Sequence, residues 1–175
     1  MGTDPVFSFA KMGSVPIFLL FFIALAARAE ERVLQLENGE TITYSMVTDA
    51  QASARPTAEQ ILRHLAAGEI EDAALLSNAP RQRYEVLKNY RASVGEEEFK
   101  RVYGQYSFPE NRIVAEIAIG AHRLVIWDLG EAGHRLVGQY YVDVEGRFLM
   151  DDVPGEQRSR LRQVLETYRA GKIKK

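Results

Sequence analysis

The sequence predicts an α+β fold, with helices first in the chain and an antiparallel β-sheet after them. From Thr57 to Tyr106 apolar residues recur at helical spacing, and from Arg112 to Val153 they recur at every second position. Short turns separate the later segments, and strands joined in this way run antiparallel. We therefore expect helices packed on one face of a curved antiparallel β-sheet.

Residues 33–47 predict a β-hairpin added in front of this domain. Apolar residues alternate on both sides of Asn38-Gly39, a pair that tolerates the positive φ angles of a tight turn. The stretch 48–56 that follows is small, polar and ends in proline, which is typical of a linker.

Four helical segments are predicted next. Thr57 and Gln60 have the spacing of a capping box, in which each side chain satisfies a backbone donor of the first turn. Gly68 is expected to end the first helix, and Gly95 to separate a third segment, 81–94, from a fourth. The apolar positions that define these segments are Ile61, Leu62, Leu65, Ile70, Ala73, Leu75, Tyr84, Leu87, Phe99 and Tyr103.

Four strands and a last helix complete the pattern. The strands are predicted at residues 112–119, 122–129, 134–144 and 147–153, with a tight turn at Glu145-Gly146. The residues of the first strand expected to share one face are Ile113, Ala115, Ile117 and Ile119. The C-terminal helix is predicted on the spacing of Leu161, Val164, Leu165 and Tyr168.

Residues 1–29 predict a cleavable secretory signal peptide. The 13-residue run from Val15 to Ala27 carries no charge, and it is shorter than the roughly 20 residues that cross a bilayer as a helix. Ala27-Arg28-Ala29 supplies the small residues that a signal peptidase reads, and an acidic start at Glu30 suits a mature chain. The alternative is an uncleaved N-terminal anchor, which would be the chain's contact with a membrane.

Composition argues against several function classes. A net charge of −2 creates no field that favours nucleic acid as a partner. The chain has no cysteine, which excludes thiol nucleophiles, zinc–thiolate sites and iron–sulfur clusters. A secreted domain without disulfides also favours a periplasmic or secreted bacterial protein. We expect a signal peptide at 1–29, a hairpin and linker at 30–55 and a globular domain at 56–175.

Two stretches carry a resemblance to a known superfamily. Residues 65–77, LAAGEIEDAALLS, form a helix–glycine–acidic–helix sequence, and residues 140–152, YYVDVEGRFLMDD, form a closing hairpin. Both resemble the NTF2-like superfamily, the cone-shaped fold shared with ketosteroid isomerases, over about residues 57–153. The resemblance implies a pocket between the concave sheet face and the first helices, with an N-terminal hairpin and a C-terminal helix as additions.

Four residues on the predicted strands carry acid–base chemistry: His122, Asp128, Tyr140 and Asp143. His122 and Asp128 share a strand face but lie about 20 Å apart at strand rise, so they are too distant to hydrogen-bond each other. A contact between His122 and Tyr140 across strands is the remaining alternative. The other two histidines, His64 and His134, are expected to be solvated or capping. Because the three histidines have no metal-ligand spacing, we predict no metal site.

Aromatic residues are concentrated on two neighbouring strands at Trp127, Tyr140 and Tyr141. They are predicted either to pack in the core or to form a wall against which an apolar ligand or a partner's side chain lies. Strand alternation places Trp127 and His122 on opposite faces, and the sequence leaves open which of the two faces is enclosed.

These observations predict a non-enzymatic envelope protein that binds a small apolar molecule or another envelope protein, without a cofactor. One alternative is an isomerase or dehydratase whose acid–base residues lie inside the cone. Another is a scaffold component of a secretion-type envelope complex, which would keep its N-terminal anchor. Self-association as a homodimer is compatible with each of them.

Overall fold

The computed structural model describes residues 30–36, 38–130 and 135–173. This part of the chain forms an α+β fold with five α-helices and a six-stranded antiparallel sheet. Short 3₁₀ helices lie at Ala50–Ala52 and Gln105–Ser107. The elements in chain order are β1 (Glu31–Gln35), β2 (Thr41–Met46), α1 (Arg55–Ala67), α2 (Ile70–Leu75), α3 (Pro80–Val94), α4 (Glu96–Gly104), β3 (Asn111–Ile119), β4 (His122–Leu129), β5 (Arg135–Val144), β6 (Arg147–Met150) and α5 (Glu156–Arg169).

The antiparallel meander predicted for β3 to β6 is confirmed. Strands follow one another across the sheet in chain order, and each neighbouring pair is antiparallel. The predicted tight turn between β5 and β6 has Glu145 at φ 54° and Gly146 at φ 80°. Two successive residues with positive φ match the right-handed twist of the flanking strands.

The first two strands continue the sheet beyond β3. β1 pairs with β2 over five residue pairs, from Glu31 opposite Ser45 to Gln35 opposite Thr41. β2 pairs with β3 through only two, Ser45 with Ala118 and Met46 with Ile117. Within the stretch 48–56, predicted as a linker, residues 48–51 are exposed and Ala54 is fully buried.

The prediction of helices on one face holds for the four N-terminal helices, and the C-terminal helix covers the other face. We call the face under α1 to α4 the front face; it carries Val125 and Trp127 of β4. The rear face carries Leu124 and Ile126, and α5 packs against it. Because β4 is apolar on both faces, each face needs a cover, and α5 supplies the second one. The α5 residues buried on the rear face are Leu161, Val164, Leu165 and Tyr168.

The predicted capping box at Thr57 and Gln60 is also wrong. α1 begins two residues earlier, at Arg55, with Ala54 as its N-cap residue and no capping side chain of its own. Glu116 of β3 replaces the local cap: its Oε1 accepts the backbone N–H of Ala54 at 2.7 Å. Its Oε2 accepts the hydroxyl of Ser53 and lies 3.3 Å from Nε of Arg55. A carboxylate from the sheet thus meets the positive end of the helix dipole.

A β-bulge changes the face of one predicted core residue. Ile113 lies opposite Trp127, whereas Ala115 lies opposite Ile126, so the register shifts at Val114. The extra residue puts Ile113 on the front face, while Ala115 packs on the rear face. Ile113 therefore does not share a face with Ala115, Ile117 and Ile119, as strict alternation had predicted.

Three predictions lie outside the described residues: the signal peptide at 1–29, the start of the 134–144 strand, and His134. Among the helices that the structure does describe, none combines the length and the apolar character needed to cross a membrane.

Candidate functional site

A cleft of about 510 Å³ opens between α1 and the front face of the sheet. Its volume lies within the range of sites that bind small molecules, roughly 300–1,000 Å³. One wall comes from a single face of α1, since its residues follow at helical spacing. The lining residues are Arg55, Glu59, Leu62, Arg63, Tyr106, Ser107, Asn111, Arg112, Ile113 and Trp127.

Aromatic rings form the floor of the cleft. Tyr106 and Trp127 meet edge to face, with ring centroids 5.1 Å apart and planes at 86°. Such pairs are favoured by the ring quadrupoles. The indole N–H of Trp127 donates to Oε1 of Gln139 at 3.1 Å, and the hydroxyl of Tyr141 donates to the same oxygen at 3.0 Å. Gln139 therefore holds Trp127 in one orientation.

Asn111 adds a buried polar group to the cleft lining. It is only 8% exposed, and its Nδ2 donates to the backbone oxygen of Gln105 at 2.6 Å. Its Oδ1 is buried and accepts no hydrogen bond from the described residues. A buried acceptor without a donor costs about 1–3 kcal/mol.

Positive charge lies along the α1 wall. Arg55 is held by Glu116, whose side chain is fully buried. Arg63 is exposed and forms no ion pair with any carboxylate of residues 30–36, 38–130 and 135–173. Arg112 lies at the rim, on the strand position opposite Asp128.

Burial raises the pKa of the tyrosines near the cleft. Removal from water raises the pKa of Tyr106, and the charge of Arg135 offsets this only in part. Burial likewise raises the pKa of Tyr103, and it raises the pKa of Tyr141 far above its ordinary range. These phenols are therefore neutral hydrogen-bonding groups at physiological pH and do not supply negative charge.

The three residues predicted to form an aromatic wall lie on two faces. Trp127 lines the cleft, and Tyr141 is fully buried behind it on the front face. Tyr140 lies on the rear face, where the guanidinium of Arg158 is 5.4 Å from its ring centroid. Tyr140 is therefore not part of the cleft.

The four acid–base candidates are not brought together in the cleft. Nδ1 of His122 lies 3.2 Å from Oδ2 of Asp151, and Oδ1 of Asp143 accepts the backbone N–H of Gly146 in the β5–β6 turn. Asp128 lies at the far end of β4, and its charge adds to burial in raising the pKa of Tyr168. Tyr140 lies diagonally from His122, since it pairs with Leu124.

Asp151 and Asp152 belong to a polar network that the sequence analysis did not predict. Asp151 is 4% exposed, and its carboxylate accepts from Asn78 as well as from His122. Asp152 accepts from the hydroxyl of Ser77 at 2.7 Å and pairs with Arg83 at 3.3 Å. Both carboxylates therefore connect the end of β6 to the loop before α3. This network fixes the edge of the sheet.

One group of side chains has the composition of a metal site. Ligand atoms of His64, Glu69 and Asp72 lie within 4.8 Å of one another. Nδ1 of His64 is 2.7 Å from the Glu69 carboxylate, and both acidic residues are exposed. The hydrogen bond spans the turn between α1 and α2, which gives these residues a structural role.

Sequence reasoning missed the polar side of the cleft. Arg55, Glu59 and Arg63 recur at every fourth residue of α1, a spacing that places them on one face of a helix. That spacing is visible in the sequence, but the sequence does not show which surface of the protein this helix face meets. Asn111 gave no signal, because its burial depends on contacts with Gln105 and with the sheet.

Comparison with known proteins gives no match: no protein-family model, no curated protein and no solved structure matches the chain.

Proposed function

We propose that this protein is a non-enzymatic, exported bacterial envelope protein that binds one small molecule with an apolar body in the cleft between α1 and the front face. The observation that carries the proposal is the composition of the cleft. It combines an aromatic floor at Trp127 and Tyr106 with the polar side chains of Arg55, Glu59 and Arg63 on the α1 wall. Apolar walls with a few converging polar groups are typical of small-molecule sites.

The position of the cleft supports an NTF2-like assignment. It lies where the first helices meet the sheet, which is the place that the resemblance implies for the pocket. α5 lies on the rear face, so it leaves the cleft uncovered. The export signal predicted at 1–29 puts this binding function in the periplasm or outside the cell.

Trp127 provides a direct test, because it is the single tryptophan of the chain and lines the cleft. We expect the neutral fluorophore N-phenyl-1-naphthylamine to bind purified protein and to accept excitation energy from Trp127. One saturable site is expected, as the cleft volume allows one such molecule.

A pair of variants at one position locates the probe. Ser107 is an exposed residue of the cleft lining, so Ser107→Phe should fill the opening at little cost in stability. We expect Ser107→Phe to weaken binding at least about tenfold and Ser107→Ala to leave it unchanged, a difference of about 1.4 kcal/mol. Energy transfer that is absent, or equal in the two variants, would refute the proposed site.

A further inference from the structure

The cleft has an uneven distribution of charge. Arg55 and Arg63 stand on the α1 wall, and Glu59 is the one acidic residue among the described residues that line the cleft. On the sheet side Ile113 and Trp127 are apolar, and Arg112 adds a third cation at the rim. The cleft therefore offers a ligand both apolar surface and cationic groups.

The two arginines differ in how they are held. Glu116 engages Nε of Arg55 at 3.3 Å, and this buried carboxylate fixes the start of α1 at the same time. A guanidinium has five N–H donors, so Arg55 keeps donors on its two Nη atoms. Arg63 is exposed and, within the described residues, has no ion-pair partner.

We infer that the ligand is an amphipathic anion, a flat apolar body with a single carboxylate, sulfonate or phosphate group that meets Arg63 at the α1 wall. The inference rests on the binding function proposed above and adds the chemical class of the ligand. A planar guanidinium matches an oxyanion with two parallel N–H donors, which a lysine ammonium does not. The apolar body lies against Trp127 and Tyr106.

Two fluorophores separate the charge from the apolar body. 8-Anilinonaphthalene-1-sulfonate and N-phenyl-1-naphthylamine share the same ring system, and only the first carries a sulfonate. We expect the sulfonate to bind at least about tenfold more tightly, as one charge-assisted hydrogen bond implies. Energy transfer from Trp127 reports probe bound to the protein, and its loss in Ser107→Phe assigns that probe to the cleft. The preference should shrink as salt is raised, because an exposed arginine is screened.

The matched variants are Arg63→Gln and Arg147→Gln. Both residues are exposed, but Arg147 lies at the β5–β6 turn, next to Val144, whereas Trp127 pairs with Val137. Seven residues of β5 separate Val137 from Val144, about 23 Å at strand rise. We expect Arg63→Gln to reduce sulfonate affinity about fivefold and to leave the neutral probe unaffected, as loss of one arginine–anion contact predicts. Arg147→Gln should change neither affinity.

The outcomes distinguish the inference from the proposed function. Equal affinity for the two probes, with both blocked by Ser107→Phe, would overturn the anion inference and leave the binding function standing. A preference for the sulfonate that is unchanged in Arg63→Gln would also overturn it. If neither probe accepted excitation energy from Trp127, the proposed function itself would be refuted.

Discussion

The front and rear faces of the sheet are both apolar, and helices cover them in different ways. On the rear face α5 lies so close that a Cβ at Gly138 would be 2.6 Å from Cδ2 of Leu165 and 2.8 Å from Cδ1 of Leu124. On the front face α1 to α4 leave a cleft of about 510 Å³ over Trp127. The rear face is therefore closely packed, whereas the front face has an open cleft.

The difference follows from how each helix is attached. α5 is held along its length by its apolar stripe, and Arg169 near its end also donates to the backbone oxygen of Leu136. The start of α1 is held by hydrogen bonds to one buried carboxylate on β3, Glu116. A polar anchor of this kind fixes a helix end at a set place without filling the space beside it. The predictions below test this contrast, from the largest expected effect to the smallest.

Removal of the Glu116 carboxylate should have the largest effect. Glu116→Ala leaves the Ala54 N–H and the Ser53 hydroxyl without their acceptor and should lower the free energy of unfolding by about 3 kcal/mol. Glu116→Gln keeps an acceptor for Ala54 and should cost about half as much. Urea denaturation of the two variants measures both values. A loss below about 1 kcal/mol for the alanine variant would mean that the front face is not anchored in this way.

A methyl group at Gly138 tests the close packing of the rear face. Gly138→Ala should lower the free energy of unfolding by about 2 kcal/mol, because the leucine side chains of α5 and β4 must move to admit the Cβ. The control is Gly104→Ala, where nothing lies within 4 Å of the added atom. Alanine is the better helix former, so this variant should gain up to about 1 kcal/mol. If thermal denaturation gave the two variants equal stability, the rear face would be loosely packed.

Alkaline pH should lower the stability of the protein through the buried tyrosine of the front face, Tyr141. Burial raises the pKa of Tyr141 far above its ordinary value, whereas the unfolded chain releases that proton near pH 10. Above pH 10 the folded state then binds more protons than the unfolded state, so the contribution of Tyr141 to stability is constant below pH 10 and falls above it. Each such tyrosine contributes a slope of about −1.4 kcal/mol per pH unit.

The matched variant for this prediction is Tyr141→Phe. At neutral pH it should be less stable by about 1 kcal/mol, since Gln139 loses a donor. Between pH 10 and pH 11 its stability should fall less steeply than that of the parent protein, because one protonation difference has been removed. Parallel denaturation curves across this pH range would contradict the burial of the phenol.

Local pattern was enough to predict much of the fold. Helical spacing located α1 and α5, alternation located β3 and β4, and the pair Glu145-Gly146 marked the β5–β6 turn. These features depend on residues close together in the chain. The sequence therefore predicted the α+β fold and the meander of the last four strands.

Features that depend on distant contacts were not predictable in the same way. The bulge at Val114 was hidden, because Val114 is itself apolar and the alternation reads as unbroken. The cap of α1 joins Ala54 to Glu116 across 62 positions of the chain, so the local pattern at Thr57 pointed to the wrong start. Trp127 was predicted as a ligand contact because of its aromatic ring. Arg63 and Asn111 were not predicted, because their places at the cleft depend on distant contacts.

The most direct test of the contrast between the two faces is a titration of isotope-labelled protein with 8-anilinonaphthalene-1-sulfonate, followed by backbone amide shifts. We predict saturable shifts at Leu62, Ile113 and Trp127, which line the cleft, and none at Leu161 and Leu165 of α5 on the rear face. Shifts confined to α5 and the rear face, or spread evenly over both faces, would contradict a ligand site on the front face.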